Sequence, residues 1–259
     1  MSFKALIFVQ LFLFSVCFAN SVSNFLVVTS GWNGRRLRDT ETLSIGNNDE
    51  PPQYPFHPRE LSDATGGFIG EDFVTCGGID STTGKIIRTE YCYKLGIGAF
   101  AMMTTVRFRA ASIVLEDEFA LWVLGGIDRN YNTLSSTEIV YKDGRTERGP
   151  DMPLTLWGHK IVKINDTTSL LVGGYTGSVI TSKWTWYFNG NWIRGPDLIT
   201  ERCRHSLGIV QDIITMEKYI VVAGGHDGGT DTSVEIMSVS GTTWETGKLF
   251  VALQKFSSF

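Results

Sequence analysis

The stretch Leu121-Trp122-Val123-Leu124-Gly125-Gly126 is a short apolar run that ends in two glycines, and it recurs along the chain. Counterparts end at Gly77-Gly78, Gly173-Gly174 and Gly224-Gly225, and a degenerate copy ends at Gly31-Trp32. The first glycines of successive copies lie 46, 48, 48 and 51 residues apart. A period of this size is typical of a repeat protein with one supersecondary unit per copy.

Each copy predicts four short β-strands, which we call a to d, with the apolar run as strand b. Because strand b is apolar at consecutive positions, we expect it to be buried on both faces, as in sheets stacked face to face. Segments 137–141 and 181–188 are rich in β-branched and aromatic residues and predict strand c. Turn signals such as Arg148-Gly149-Pro150 recur, and helical periodicity is absent after residue 19. The sequence therefore predicts an all-β fold, in which the glycine pair permits a positive φ and a close neighbour where strand b ends.

Further residues keep step with the glycines. Glu90 and Glu138 each stand twelve residues after the second glycine of their copies, and a tyrosine follows each of them three residues later. The corresponding places in the other copies are predicted to be taken by Trp184 with Tyr187, by Glu235 and by Glu41. A later tryptophan follows in two copies, at Trp192 and Trp244.

This combination of apolar run, glycine pair, glutamate, tyrosine and later tryptophan resembles the kelch repeat, over essentially the whole chain from residue 20 onward. The resemblance implies a kelch-type β-propeller of about five four-stranded blades. Residue 20 onward opens on a strand b, whereas 249–259 has the pattern of a strand a. We expect the C-terminal strand to pair with the N-terminal strands and close the ring, leaving few free edges. The alternative is an incomplete ring in a truncated chain, since kelch propellers more commonly have additional blades.

Residues 1–19 have the pattern of a secretory signal peptide. Lys4 precedes the apolar run 5–18, and Cys17-Phe18-Ala19 places small residues at the two positions that signal peptidase recognises. A membrane anchor is the alternative, but the run is shorter than the roughly 20 residues of a spanning helix. We predict a signal peptide at 1–19, a kelch-repeat propeller domain at 20–259, and a secreted, extracellular protein without a membrane span.

Secretion would place the remaining cysteines in an oxidising compartment. Cys76 ends a strand b and Cys92 lies on the predicted strand c, so the two could face each other as a disulfide; two buried thiols are the alternative. Cys203 is the odd thiol of the predicted mature chain. The only Asn-x-Ser/Thr sequon begins at Asn165, on a predicted turn, and makes Asn165 a candidate glycosylation site.

The composition is that of a globular protein and gives no sign of a nucleic-acid partner. The 259 residues have a formal net charge of −4, with 42% apolar and 19% charged residues. Of the four histidines, His159 and His205 occupy the same repeat position, where Ala110 and Ala111 stand in another copy. That equivalence favours a packing role over a metal site. The glycine-aspartate run 224–231 is similar to a calcium-binding turn, but such turns work in tandem and this one occurs once.

One relative on the kelch scaffold is an enzyme, the copper radical oxidase galactose oxidase. Its site needs a cysteine cross-linked to a tyrosine, a second tyrosine and two histidines, and no such set can be assigned in this sequence. A hydrolase triad is equally unsupported. We predict no enzymatic activity, no catalytic residue, no cofactor and no metal, with a metal-dependent oxidase of the galactose oxidase type as a remote alternative.

The predicted function is protein–protein interaction through the loops that follow the glycine pairs, because a rigid ring can present such loops to an extracellular protein partner. Arg129, Tyr131 and Tyr175 are the residues most similar to interface anchors. The full set of candidate binding residues is Asp128, Arg129, Tyr131, Tyr175, His226 and Asp227. Plain solvated turns are the alternative for these loops. A lectin-like glycan-binding module is the alternative function, suggested by Trp157, Trp184 and Trp192.

Overall fold

The computed structural model of the chain describes residues 15–18, 25–32, 36–44, 53–177, 180–212, 214–225 and 232–247. Over these ranges the protein is all-β: every regular element is a strand, and all strand pairs are antiparallel. The predicted C-terminal strand at 249–259 lies outside the described residues. The chain divides into two compact units, an N-terminal unit that ends at Trp157 and a C-terminal unit that begins at Gly158.

The N-terminal unit has fourteen strands in three sheets, of order β1-β2-β3-β4-β7-β8, β10-β9-β6-β5 and β11-β12-β13-β14. Their bounds are β1 Ser15–Phe18, β2 Phe25–Trp32, β3 Arg36–Ser44, β4 Leu61–Ser62, β5 Thr65–Ile69, β6 Asp72–Cys76, β7 Ile79–Asp80, β8 Ile87–Arg88, β9 Tyr91–Lys94, β10 Gly98–Met102, β11 Ala111–Leu115, β12 Ala120–Leu124, β13 Thr137–Tyr141 and β14 Thr146–Gly149.

The C-terminal unit has two four-stranded sheets, β15-β16-β19-β20 and β21-β22-β23-β24, and the small hairpin β17-β18. Their bounds are β15 Lys160–Lys163, β16 Ser169–Val172, β17 Tyr175–Thr176, β18 Ile180–Thr181, β19 Thr185–Phe188, β20 Trp192–Arg194, β21 Ser206–Gln211, β22 Lys218–Ala223, β23 Val234–Ser238 and β24 Glu245–Gly247. This succession of small antiparallel sheets confirms the all-β prediction and is compatible with a propeller-like fold.

Strand b is buried on both faces, as its unbroken apolar run predicts. Every side chain of β12, an inner strand of its sheet, is buried. Within the N-terminal unit, Leu121 and Val123 of β12 share a core with Val74 and Cys76 of β6. In the C-terminal unit, Leu170 and Val172 of β16 form a core with Ile220 and Val222 of β22. Burial between consecutive sheets is thus the main stabilising contact inside each unit.

The glycine pairs end strand b where backbone from the next connection passes close by. Gly126 has φ +91°, and a Cβ atom there would lie 2.8 Å from the carbonyl oxygen of Phe108 and 3.0 Å from the Cβ of Ala110. A Cβ on Gly174 would lie 2.7 Å from the Cβ of His159. Ala110 and His159 therefore occupy the same place in their sheets, as predicted, and a side chain on the second glycine would collide with either of them.

The register between strands b and c corrects one sequence alignment. Leu124 pairs with Thr137, and Cys76 pairs with Cys92. The residue equivalent to Glu138 is therefore Tyr93 and not Glu90. Val172 likewise pairs with Thr185, which puts Trp186 rather than Trp184 at that place. The connection from Gly78 to Cys92 is three residues longer than those from Gly126 to Thr137 and from Gly174 to Thr185, so counting from the glycine pair fails for Glu90. In the third copy the same count reaches Trp186, and the prediction of Trp184 rests instead on its spacing from Tyr187.

Buried arginines join consecutive sheets at two of these places. Arg107 accepts a hydrogen bond from Gly78 N through its carbonyl oxygen (2.8 Å), while its guanidinium donates to Gly125 O (3.0 Å) and pairs with Glu138 Oε1 (3.1 Å). Arg202 repeats this arrangement with Gly174 N, Gly224 O and Glu235. Each arginine thus hydrogen-bonds to one sheet through its backbone carbonyl and to the next sheet through its guanidinium.

The corresponding positions of the other two sheets are uncharged. Arg107 and Arg202 each stand four residues before strand a, and the corresponding residues elsewhere are Leu61 and Leu156. The register places Tyr93 and Trp186 where those sheets would otherwise have the glutamate. A sheet that has arginine four residues before strand a therefore has glutamate at the position of Glu138, and a sheet that has leucine there has an aromatic residue at that position.

Cys76 and Cys92 form a disulfide between adjacent positions of β6 and β9. Both residues are buried, and the bond links strand b to strand c beside the first glycine of the pair. The structure therefore decides between the two alternatives in favour of the disulfide. Cys203 is a buried thiol outside it.

Candidate binding surface

Two loops after the glycine pairs of the N-terminal unit begin alike, with Gly-Gly-Ile-Asp. In the first loop, Asp80 Oδ1 accepts hydrogen bonds from Thr82 N (2.7 Å) and Thr82 Oγ1 (2.6 Å), and the chain continues as the hairpin β7–β8. In the second, Asp128 Oδ1 accepts from Asn130 N and Asn132 N, both at 2.8 Å. In each loop, the aspartate two residues after the glycine pair therefore accepts hydrogen bonds from backbone N–H groups of the loop and fixes its shape.

Asp128 acts as a loop-forming residue, and its predicted contact with a partner stays a prediction. Desolvation acts to raise the pKa of its carboxyl, but hydrogen bonds from Asn132 and Asn130 outweigh that effect and leave the pKa below its usual value. Its second oxygen accepts from Asn132 Nδ2 (2.9 Å). The ionised carboxylate is thus engaged within the loop and holds residues 128–132 in one conformation.

Tyr131 stands at the tip of this fixed loop. Its backbone has φ +66°, an uncommon value for a bulky residue, and 67% of the residue is exposed. Tyr131 N donates to Asp128 O (3.2 Å), so the turn that Asp128 forms also imposes the left-handed conformation. The loop therefore holds a large aromatic side chain in solvent at a cost in backbone strain, as is common at functional sites.

The side chain of Tyr131 contacts Arg88, which the sequence did not single out. The guanidinium of Arg88 lies over the ring of Tyr131, 4.1 Å from its centroid, and donates to the tyrosine hydroxyl. The same guanidinium lies 5.5 Å from the ring centroid of Phe108, which meets Tyr131 edge-on at 6.1 Å. Two rings thus enclose one cation, with Phe108 buried beneath and Tyr131 exposed above.

A second arginine extends this cluster. Arg109 stacks over Phe108 at 5.8 Å and over Trp157 at 5.1 Å, and its Nε donates to Asp63 Oδ1 at 3.1 Å. We call Arg88, Phe108, Arg109, Tyr131 and Trp157 the arginine–aromatic patch. All five lie in the N-terminal unit, at the end of the sheets where the glycine pairs lie.

Arg129 lies beside the patch and has a different partner. Its side chain is 66% exposed and its Nη2 is 3.4 Å from Glu90 Oε2. A solvated pair of this kind contributes little to stability. Arg129 and Tyr131 are therefore brought to one surface, as predicted, but Tyr131 is the residue built into the cluster. Arg88 and Phe108 give no sequence signal, because their contact depends on how the hairpin β7–β8 packs against the connection before β11.

The remaining binding candidates belong to the C-terminal unit. Tyr175 opens β17, which pairs with β18, and it is half-buried. His226 and Asp227 lie outside the described residues. Asn165 is on the turn between β15 and β16, at the opposite end of β16 from Tyr175, and its Oδ1 accepts from Thr167 N at 3.0 Å. Asn165 is exposed, as a glycan acceptor must be.

The histidines of the described residues are buried and neutral. Burial lowers the pKa of His159 to about 3 and that of His205 well below its usual value, with nearby Lys160 acting in the same direction on both. The ring nitrogens of His159 and His205 have no hydrogen-bond partner within the described ranges. Across those same ranges, no three His, Cys, Asp or Glu side chains gather closely enough to hold a metal ion.

The tryptophans considered for glycan binding make ordinary packing contacts. Arg194 lies over the ring of Trp184 at 5.2 Å, and Trp192 packs on Phe188 at 4.8 Å. Trp157 belongs to the arginine–aromatic patch. Of the three, Trp184 is the exposed one, at 42%.

Comparison with known proteins supports the fold and leaves the function to the site. No protein-family model matches the chain, and no curated protein matches it. Among 167 chains of solved structures that match is one titled "Structure of YjhT", with a TM-score of 0.67 at 12% sequence identity. The match covers 92% of this chain and 84% of YjhT. At that identity the similarity shows the fold alone, and a fold shared so widely does not indicate one function.

In the portion of the chain that the structure describes, no helix is long and apolar enough to cross a membrane.

Proposed function

We propose that this chain is a secreted, non-catalytic kelch-type propeller that binds an extracellular protein through the arginine–aromatic patch. The observation on which the proposal depends is Tyr131, an exposed tyrosine in a strained, hydrogen-bonded loop and stacked with Arg88. Tyrosine and arginine are the residue types that most often dominate binding energy at protein interfaces. A loop held rigid before binding loses little conformational entropy when the partner arrives.

The kelch assignment and the closure of the ring belong to the same proposal. Residues at equivalent repeat positions have equivalent backbone roles in four sheets, which supports a propeller of repeated blades. In the full chain, β1 pairs with β2 in the place of a strand a, and β1 falls within the predicted leader 1–19. Removal of the leader would free the edge of β2 for pairing with a strand from 249–259, and this pairing would close the ring at five blades. Deletion of 249–259 from the mature chain is expected to lower its melting temperature; an unchanged value would contradict closure.

Secretion and glycosylation can be tested together. The disulfide between Cys76 and Cys92 is compatible with an oxidising compartment. Expression of the full chain in a eukaryotic secretory host is expected to release a protein that begins at Asn20 and shifts in mobility after glycosidase treatment. The shift should vanish in Asn165→Gln. Retention of residues 1–19, or a protein confined to the cytosol, would contradict the proposed extracellular localisation.

The binding proposal is tested by affinity capture from extracellular extract. The wild-type chain is compared with Arg88→Ala/Tyr131→Ala, and a discrete protein should be enriched by the first and lost with the second. A matched control lies at the other end of the same sheet, where Arg145 stacks on Tyr141 at 3.6 Å. Tyr141→Ala/Arg145→Ala should capture the protein as well as wild type. Equal capture by all three chains would place the site elsewhere.

A further inference from the structure

Among the described residues, the strand β8 is the terminal strand of its sheet and lies beside the arginine–aromatic patch. In the sheet order β1-β2-β3-β4-β7-β8, β8 is the terminal strand, and it contributes Arg88 to the patch. An edge strand presents unpaired backbone groups to any chain that approaches it. Ile87 on this strand is 48% exposed, and Ile86 just before it is 67% exposed. The edge therefore offers backbone hydrogen-bonding groups and apolar side chains together.

The cation at this edge is not neutralised within the described residues. Arg109 pairs with Asp63 and Arg129 with Glu90, whereas no described carboxylate lies within 4.0 Å of the Arg88 guanidinium. Its contacts are the two rings and the hydroxyl of Tyr131. Lys85, exposed at the end of the hairpin, adds a second positive charge. A complementary ligand should therefore provide negative charge next to an extended backbone.

We infer that β8 and the arginine–aromatic patch bind an extended acidic segment of the partner protein. The segment adds to the sheet as a strand next to β8, places a carboxylate on Arg88, and lays apolar side chains on Ile86 and Ile87. Main-chain pairing contributes affinity in this binding mode, while alternate side chains contribute specificity. The inference rests on the proposed function, since it names the chemistry of the partner at that same surface.

Random peptides can reveal the ligand chemistry of this surface, whichever protein the partner is. A phage library of random ten-residue peptides is panned on the purified chain and counter-selected on Arg88→Met. Enriched peptides are expected to contain Asp or Glu and to lack proline. Synthesised peptides should bind about tenfold or more weakly to Arg88→Met, as expected for loss of a charge-assisted hydrogen bond. Binding to Arg145→Met should equal that of wild type, because this control arginine stacks on Tyr141 and pairs with Glu147 at the far end of the sheet β11-β12-β13-β14.

The backbone component is tested separately. N-methylation at alternate residues of a selected peptide removes its strand-pairing donors, and we expect binding to fall at least tenfold for one of the two alternations. Peptides enriched without acidic residues, or insensitive both to Arg88→Met and to N-methylation, would overturn the inference. If affinity capture still depended on Arg88 and Tyr131 in that case, the proposed function would stand.

A glycan ligand gives a different result. A heparin hexasaccharide provides negative charge without a peptide backbone. If the hexasaccharide bound in an Arg88-dependent manner while no peptide was enriched, the surface would recognise an anionic glycan, and the peptide inference would be wrong.

Discussion

The buried arginines show how single residues define the junction between consecutive sheets. Arg107 and Glu138 are both almost fully buried, and Glu138 also accepts hydrogen bonds from Thr104 N (2.6 Å) and Thr105 N (3.1 Å). Each charge is therefore compensated by the other and by backbone groups. Leu61 and Tyr93 occupy the corresponding positions of the preceding sheet. A charged and an apolar solution thus coexist in one unit, and each is complete only as a pair.

We predict that Glu138→Gln destabilises the protein by roughly 3–5 kcal/mol, because it leaves the Arg107 guanidinium buried without a counter-charge. The double variant Arg107→Leu/Glu138→Tyr, which copies the neighbouring sheet, should cost less than the sum of its two single variants. Urea unfolding at constant pH measures both quantities. Additive costs would show that the two residues do not act as a pair.

At the scale of the element, strands b and c are connected differently in each sheet. In the β6–β9 pair the connection is covalent, through the disulfide. In the β12–β13 pair the corresponding partner of Leu124 is Thr137, whose hydroxyl accepts from Trp122 Nε1 (2.8 Å). The covalent link occurs where the following loop is the longer hairpin β7–β8. It fixes the base of that hairpin and, through it, the position of Arg88.

We predict that reduction of the disulfide lowers the melting temperature by roughly 5–10 °C, as a loop of this length should lose about 3 kcal/mol of stabilisation. Thermal unfolding with and without a reductant measures the change. Cys76→Ala/Cys92→Ala should melt at the same temperature in both conditions. Cys203→Ala is the control and should retain the full sensitivity. A reductant effect that disappeared with Cys203→Ala would assign the sensitivity to that thiol.

At the scale of the whole molecule, both units contain buried neutral histidines. His57 accepts from Arg59 N through Nδ1 (3.0 Å) and contacts Thr75 Oγ1 through Nε2 (2.7 Å), and burial is the main cause that lowers its pKa to about 4. His159 is lowered further by burial. In the unfolded chain these groups titrate near their ordinary value of 6.5. Below that pH the unfolded state therefore binds more protons than the folded state.

We predict that stability is highest above about pH 6.5 and falls as the pH drops toward 4, by up to roughly 1.4 kcal/mol per pH unit for each buried histidine. His159→Ala introduces the residue type that other copies have at this position, Ala64 and Ala110. Relative to wild type, this variant should gain about 2 kcal/mol between pH 6.5 and pH 5, as measured by urea unfolding. Parallel pH profiles for the two proteins would contradict the assignment.

The sequence alone determined the all-β class, the period, the buried strand b and the facing cysteines, because these depend on residue type at fixed spacing. It also placed Arg129 and Tyr131 on one loop after a glycine pair, and their role in binding stays a prediction. It misaligned Glu90, because the loop after Gly78 is longer than its counterparts while the pairing register is fixed, and it misaligned Trp184, because the spacing from Tyr187 does not follow that register. Arg88 and Phe108 became part of a site only through the tertiary structure. They are 20 residues apart in the sequence, and they meet because the guanidinium of Arg88, on the hairpin β7–β8, stacks on Phe108 in the connection before β11.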